Sequence, residues 1–127
     1  MSAPPALVVF SHLRWNFVFQ RPQHLMSRLA TRRPVLFVEE PVHDPEGKPL
    51  WELSDPAPGV TVCRPRTPID GGGFSDEQNA VLTPLVGQLI AERAGAEYDL
   101  WFYTPMALPL ADGLHPRVVG QAVPQSA

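Results

Sequence analysis

The fold is decided by the stretch FSHLRWNFVFQRPQH, which occupies residues 10–24. It follows a continuous apolar run at residues 7–10, typical of a strand covered on both faces of a parallel sheet. It leads into residues 22–30, whose apolar side chains recur at the i, i+3, i+4, i+7 spacing of a helix, with Pro22 in the first turn. Ligands of open α/β folds bind beyond the carboxyl ends of such strands, so we expect function in this loop.

Further apolar or aromatic runs predict the remaining strands of the chain. These strands are residues 35–38, 50–53, 60–63, 98–103 and a strand beginning at 118. The segment 54–59 is rich in turn residues and is predicted to join the third strand to the fourth.

A second helix is predicted to begin after Ser75, which forms a capping box with Gln78. Pro84 interrupts its apolar face, so we expect either a kink or a restart with Thr83 as the cap. Gly95 is placed as the C-terminal cap. A short helix is also expected at residues 106–110.

Strands that alternate with helices predict an α/β fold, a Rossmann-like, doubly wound and mostly parallel sheet with helices on both faces. The 127 residues fit one domain, and an apolar fraction of 44% is sufficient for a core. Sixteen prolines and nine glycines indicate long, stiff loops around that core.

Charge and cysteine content exclude several classes of function. The net charge of −3 without a basic tract argues against nucleic-acid binding. The single cysteine excludes an internal disulfide and a cysteine-built metal site, and we expect no metal and no cofactor. With no signal-peptide pattern and no apolar run near the ~20 residues of a membrane helix, we expect a soluble, cytoplasmic chain, peripheral to the membrane at most.

The candidate binding site depends on which strands are neighbours. If strand 7–10 and the aromatic strand 98–103 are central, the loops that follow them share one crevice. The free N–H groups at the start of the first helix would favour an anion there. The candidate binding residues are His12, Arg14, Trp15, Arg21, His24, Thr104 and Met106.

Each candidate in the first loop also has a structural interpretation. His12 and Arg14 could donate to a sugar hydroxyl or a phosphate, or they could satisfy loop carbonyls. Trp15 could stack on a sugar, but more often such a residue fills the edge of a core. Arg21 is a candidate for anion binding or for a surface salt bridge, and His24 has a mainly structural interpretation.

Two other features have weaker ligand-binding interpretations. Glu39 and Glu40 follow the second strand, where an acid can bind a ribose, but that site requires a glycine-rich first loop and this loop has no glycine. We therefore expect a solvated or structural carboxylate pair. The glycines at 71–73 lack the lysine and Ser/Thr of a phosphate-binding loop, so a mobile loop is favoured. We find no catalytic set of residues.

Three segments carry a resemblance to a known family. They are FSHLRWNFVFQRPQHLMSRLA at residues 10–30, FVEEPV at 37–42 and WFYTPMALP at 101–109. In the same order they resemble the N-terminal domain of bacterial two-domain GT-B glycosyltransferases, close to the family-4-like and teichuronic acid glycosyltransferases. The resemblance implies an N-terminal domain that mainly holds the acceptor, whereas a C-terminal domain binds the nucleotide-sugar. Asn16 departs from an expected aspartate, and residues 120–123 replace an expected acidic motif.

From this resemblance we expect the acceptor-side domain of an enzyme that transfers a sugar to a cell-envelope glycan or a lipid-linked acceptor. Its partners would be that acceptor and, through a missing second domain, a nucleotide-sugar donor. Without that domain the chain would be inactive. An alternative is a stand-alone, non-catalytic binding module that could cover its open sheet edge as a homodimer. A nicotinamide-dependent enzyme is disfavoured because the chain lacks the glycine fingerprint.

Overall fold

A computed structural model describes residues 5–12, 15, 26–70 and 73–121. Its strands are β1 (Ala6–Phe10), β2 (Val35–Val38), β3 (Val42–His43), β4 (Leu50–Ala57), β5 (Val60–Thr67), β6 (Tyr98–Phe102) and β7 (Val119–Gln121). Its helices are α1, described over residues 26–29, α2 (Asp76–Arg93) and a 3-10 helix (Pro105–Ala111).

The strands form one seven-stranded, mostly parallel sheet. The parallel strands lie in the order β5-β2-β1-β6-β7, which is the Rossmann order of third, second, first, fourth and fifth strand along the chain. β2 and β3 both pair in parallel with one side of β5, β2 with its first half and β3 with its end. β4 pairs antiparallel with the other side of β5. The predicted α/β, Rossmann-like fold is confirmed.

Helices cover both faces of the sheet, as the uninterrupted apolar strands predicted. On the first face, α2 and the 3-10 helix pack on a core in which the rings of Phe10 and Phe102 stack 4.8 Å apart. On the second face, Met26 of α1 joins Val9 and Phe37 in a separate cluster. Because both faces are buried, β1 and β2 have no exposed side chain at all.

The second helix is continuous, so the predicted restart at Pro84 is wrong. Thr83 does not act as a cap, since its hydroxyl donates to the carbonyl of Asn79 one turn earlier at 2.7 Å. Ser75 accepts from the N–H of Gln78, as predicted. The C-terminal cap is Ala94, and the predicted Gly95 follows it with a left-handed backbone and donates to the carbonyl of Ile90. Packing of the apolar stripe on the sheet outweighs the bond that Pro84 removes.

The hairpin β4–β5 is longer than predicted. Both strands have eight residues, and the turn contracts to Pro58 and Gly59, whereas the sequence indicated a loop from residue 54 to 59. Pro56 fits within β4 because β4 is the edge strand, where a missing N–H costs no ladder bond. The turn-forming residues at 54–57 therefore led the sequence analysis to predict only the first half of β4.

Gly59 and Gly95 provide a matched test of local strain. Both have left-handed backbones, with φ of +78° and +77°. A Cβ at residue 59 would lie 2.7 Å from the carbonyl oxygen of Ala30, whereas a Cβ at residue 95 would meet nothing within 4 Å. We expect Gly95→Ala to lower the free energy of unfolding by about 1 kcal/mol and Gly59→Ala by about 2–4 kcal/mol. Urea unfolding measures both, and equal losses would contradict the contact with Ala30.

Candidate functional site

β1 and β6 are the two strands whose adjacency the site hypothesis required, and the order of strands along the chain reverses at this point of the sheet. They are parallel neighbours, with Phe10 opposite Phe102, and the N–H of Tyr103 donates to the carbonyl of Phe10 at 2.9 Å. After β1 the chain reaches the second face at Trp15, and after β6 it enters the 3-10 helix on the first face. Chains that leave neighbouring strands towards opposite faces open the crevice in which α/β folds bind ligands.

Polar residues follow both strands at the carboxyl ends where this crevice opens. His12 is exposed beyond the end of β1, and Tyr103 is half-buried beyond the end of β6. Burial raises the pKa of the Tyr103 phenol, and a protonated phenol can donate a hydrogen bond. An imidazole and a phenol at one crevice suit a ligand with hydroxyl groups.

Thr104 and Met106 have different positions in the same wall. Thr104 is buried, and its hydroxyl caps the 3-10 helix by accepting from the N–H of Met106 at 3.4 Å. The side chain of Met106 is 60% exposed. Thr104 therefore fixes the start of the 3-10 helix, whereas Met106 leaves an apolar side chain exposed beside it.

Trp15 does not approach Thr104 and Met106, so this part of the predicted site is wrong. Its indole is buried on the second face, where it meets the ring of Phe37 edge-on with centroids 5.2 Å apart. The 3-10 helix lies on the first face, with the sheet between them. Trp15 thus takes the packing role that the sequence left open as its alternative.

Glu39 explains why the chain turns towards the second face. This carboxylate is completely buried at the end of β2, where it accepts from the N–H of Trp15 at 2.7 Å and from Nε of Arg64 at 2.9 Å. The structural interpretation of Glu39 is confirmed and the solvated one is wrong. The sequence could not separate Glu39 from Glu40, which is half-buried and whose carboxylate lies close to Gly73.

Asn79 is a buried polar residue that the sequence did not single out. Its amide nitrogen donates to the carbonyls of Phe74 and Met106 at 3.1 and 3.0 Å, which ties the start of α2 to the 3-10 helix. Gln78 beside it accepts from Thr67 at 2.6 Å. An asparagine just inside a capping box on the buried side of a helix was the available signal. Asn79 therefore holds the 3-10 helix against α2, whereas Gln78 ties the start of α2 to the end of β5.

Three predicted site residues, Arg14, Arg21 and His24, lie outside the described residues. So do Gly71 and Gly72 of the glycine triplet. Gly73 is described and has a left-handed backbone with φ of +64°.

Within the described ranges, no group of three metal-ligating side chains is close enough to hold an ion. Cys63 is fully buried, and burial raises its pKa to about 12, so it is not a nucleophile. No helix within the part that the structure describes has the length and hydropathy to cross a bilayer.

No protein-family model, no curated protein and no solved structure matches this chain.

Proposed function

We propose that this chain is the acceptor-side domain of a GT-B-type glycosyltransferase, which moves a sugar from a nucleotide-sugar to a cell-envelope glycan or a lipid-linked acceptor. The observation that supports the proposal is the crevice between β1 and β6, formed by two of the segments that carry the family resemblance. In this proposal the crevice holds the acceptor, and a separate domain supplies the donor.

The side chains at the crevice suit an acceptor with both hydroxyl and apolar surfaces. His12 and Tyr103 would donate to or accept from sugar hydroxyls. Met106 would contact an apolar face of the sugar or the first carbons of a lipid, because thioether side chains adapt to irregular surfaces. Asn79 would not touch the acceptor itself. It would keep Met106 in position by donating to the backbone carbonyl of Met106.

The environment of Glu39 supports an acceptor role over a nucleotide-binding role. In dinucleotide-binding domains the acid after the second strand binds a ribose. Here Glu39 is buried and engaged by Trp15 and Arg64, so that carboxylate is already satisfied by the protein. The first loop also lacks the glycines that allow a pyrophosphate to approach.

Ligand-observed NMR with three probes tests the proposal. We expect saturation transfer to the cell-envelope disaccharide N-acetylglucosaminyl-N-acetylmuramic acid, and none to NAD or to UDP. His12→Ala should weaken binding of the disaccharide by about tenfold, the loss of one good hydrogen bond. Binding of NAD with no binding of the disaccharide would replace this proposal with a nicotinamide-dependent function.

A stand-alone binding module is a second candidate, and an exposed apolar edge favours it. Val118 and Val119 at β7 are 57% and 51% exposed, and β7 is the last strand on that side of the described sheet. Open edges pair readily with another chain. Light scattering after size exclusion distinguishes the two: a dimer that Val119→Lys converts to a monomer would support the module, and a monomer at all concentrations would count against it.

A further inference from the structure

A second concave site lies on the second face, above β4 and β5. It is a pocket of about 200 Å³ whose wall includes Trp15, Glu52, Ser54, Val62 and Arg64. Glu52 is opposite Arg64 and Ser54 is opposite Val62 in the β4–β5 register, so these four side chains share one face of the hairpin. β2 separates β5 from β1, so the β4–β5 side of the pocket lies apart from the crevice, and Trp15 of the loop after β1 completes the wall.

The charged groups of the pocket are held by partners in the protein. Nε of Arg64 donates to the buried carboxylate of Glu39 at 2.9 Å, which fixes the guanidinium and leaves its two terminal nitrogens as donors for a ligand. Glu52 pairs through one oxygen with Nε of Arg66. Among the described residues of the wall each cation is thus compensated by a carboxylate, so this part of the wall offers hydrogen bonds without an excess of either charge.

From this chemistry we infer that the pocket binds one uncharged pyranose ring. The ring's hydroxyls would accept from Arg64 and Ser54 and donate to Glu52. Its C–H surface would contact the exposed lining residues Leu53 and Pro56. The volume is below the roughly 300–1,000 Å³ of drug-sized sites, which suits one sugar ring and not an oligosaccharide. This inference goes beyond the proposed function, because the pocket would bind a sugar whether or not the crevice does.

Two aromatic substitutions at adjacent positions of β4 provide the test. Ser54→Phe places a ring in the pocket beside Val62, whereas Asp55→Phe places the same ring on the opposite face, where Asp55 accepts from the hydroxyl of Thr61. Both positions are exposed on an edge strand, so both variants are expected to fold. Circular dichroism and thermal unfolding check this before binding is measured.

Saturation-transfer NMR with methyl β-D-glucopyranoside, methyl α-D-mannopyranoside and methyl N-acetyl-β-D-glucosaminide measures the binding. We expect at least one probe to bind the natural chain, Ser54→Phe to weaken it by about tenfold or more, and Asp55→Phe to leave it unchanged. Absence of binding by all three probes, or binding that Ser54→Phe leaves intact, would overturn the inference. Stronger binding of glucuronate than of the methyl glycosides would also overturn it, since the charge balance predicts the reverse.

The His12→Ala variant of the crevice distinguishes sugar binding in the pocket from sugar binding at the proposed acceptor site. A glycoside signal lost in His12→Ala and kept in Ser54→Phe would place the sugar in the crevice, which overturns the pocket and supports the proposed acceptor site. A signal lost in Ser54→Phe and kept in His12→Ala would support the pocket, and the disaccharide experiment would still decide the crevice.

Discussion

Glu39→Gln is expected to lower the free energy of unfolding by about 3 kcal/mol, since removing one partner of a buried ion pair typically costs 3–5 kcal/mol. The carboxylate is completely buried and holds both the N–H of Trp15 and Nε of Arg64. Glutamine has a similar shape but no charge, so it weakens both bonds. The Arg64 side chain is 32% exposed and recovers part of its hydration, which places the loss near the lower end of the range.

Urea unfolding followed by circular dichroism measures this loss. Glu46→Gln is the matched control, because Glu46 is exposed in a turn and surface substitutions usually change stability by less than about 0.5 kcal/mol. In a double-mutant cycle, Glu39→Gln combined with Arg64→Gln should lose less than the sum of the single variants. A Glu39→Gln variant as stable as its control would show that the carboxylate does not anchor the first loop.

Asp99→Asn is expected to cost about 2–3 kcal/mol, because hydrogen bonds to charged groups contribute about 1.5–3 kcal/mol each and several are weakened together. Asp99 lies near the start of β6, and its side chain is 10% exposed. It accepts from Arg33 at 2.8 Å and from Arg117 at 3.1 and 3.0 Å. Arg33 precedes β2 and Arg117 precedes β7, so the carboxylate links three neighbouring segments at the amino edge of the sheet.

This network also predicts the pH dependence of stability. The hydrogen bond from Arg117, followed by that from Arg33, holds the pKa of Asp99 below its ordinary value of 3.8. The folded chain therefore binds that proton less readily than the unfolded chain. The contribution of Asp99 is fully present above its ordinary pKa and is lost as the pH falls through the lower folded value.

Unfolding measured from pH 7 to pH 2.5 tests this sign. The difference in stability between the natural chain and Asp99→Asn should be constant at neutral pH and should shrink below about pH 4. Asp70→Asn, at an exposed position, is the matched control and should change stability at pH 7 by less than about 0.5 kcal/mol. A difference that grows on acidification would contradict the assigned network.

The sequence predicted the centre of the fold because its signals there were strong. β1 and β2 are uninterrupted apolar runs covered on both faces, and β6 is rich in aromatic residues. The adjacency of β1 and β6 follows from the Rossmann order, so the crevice could be inferred before its geometry was known. The length of β4 could not be inferred from the sequence, because its turn-forming residues lie on an edge strand, where they are tolerated.

The interior of the site was beyond sequence patterns for a different reason. Glu39 and Glu40 are adjacent and chemically identical, yet one is completely buried and the other is half-buried. The burial of Glu39 depends on Arg64, which is 25 residues away and paired across the sheet. The carboxylate of Glu39 also accepts from the N–H of Trp15, whose side chain packs on the second face. Residues that are paired through the tertiary fold in this way are not related by any helix or strand spacing, so a sequence pattern cannot reveal the pair.

The most direct test of the proposed acceptor crevice is an amide chemical-shift map of the ¹⁵N-labelled chain titrated with N-acetylglucosaminyl-N-acetylmuramic acid. The proposal predicts that the largest shift changes fall on Ser11, His12, Tyr103 and Thr104, with His12→Ala reducing them. Shift changes confined to β7 or α2, or no change at any of the four amides at saturating disaccharide, would contradict the assignment of the crevice as the acceptor site.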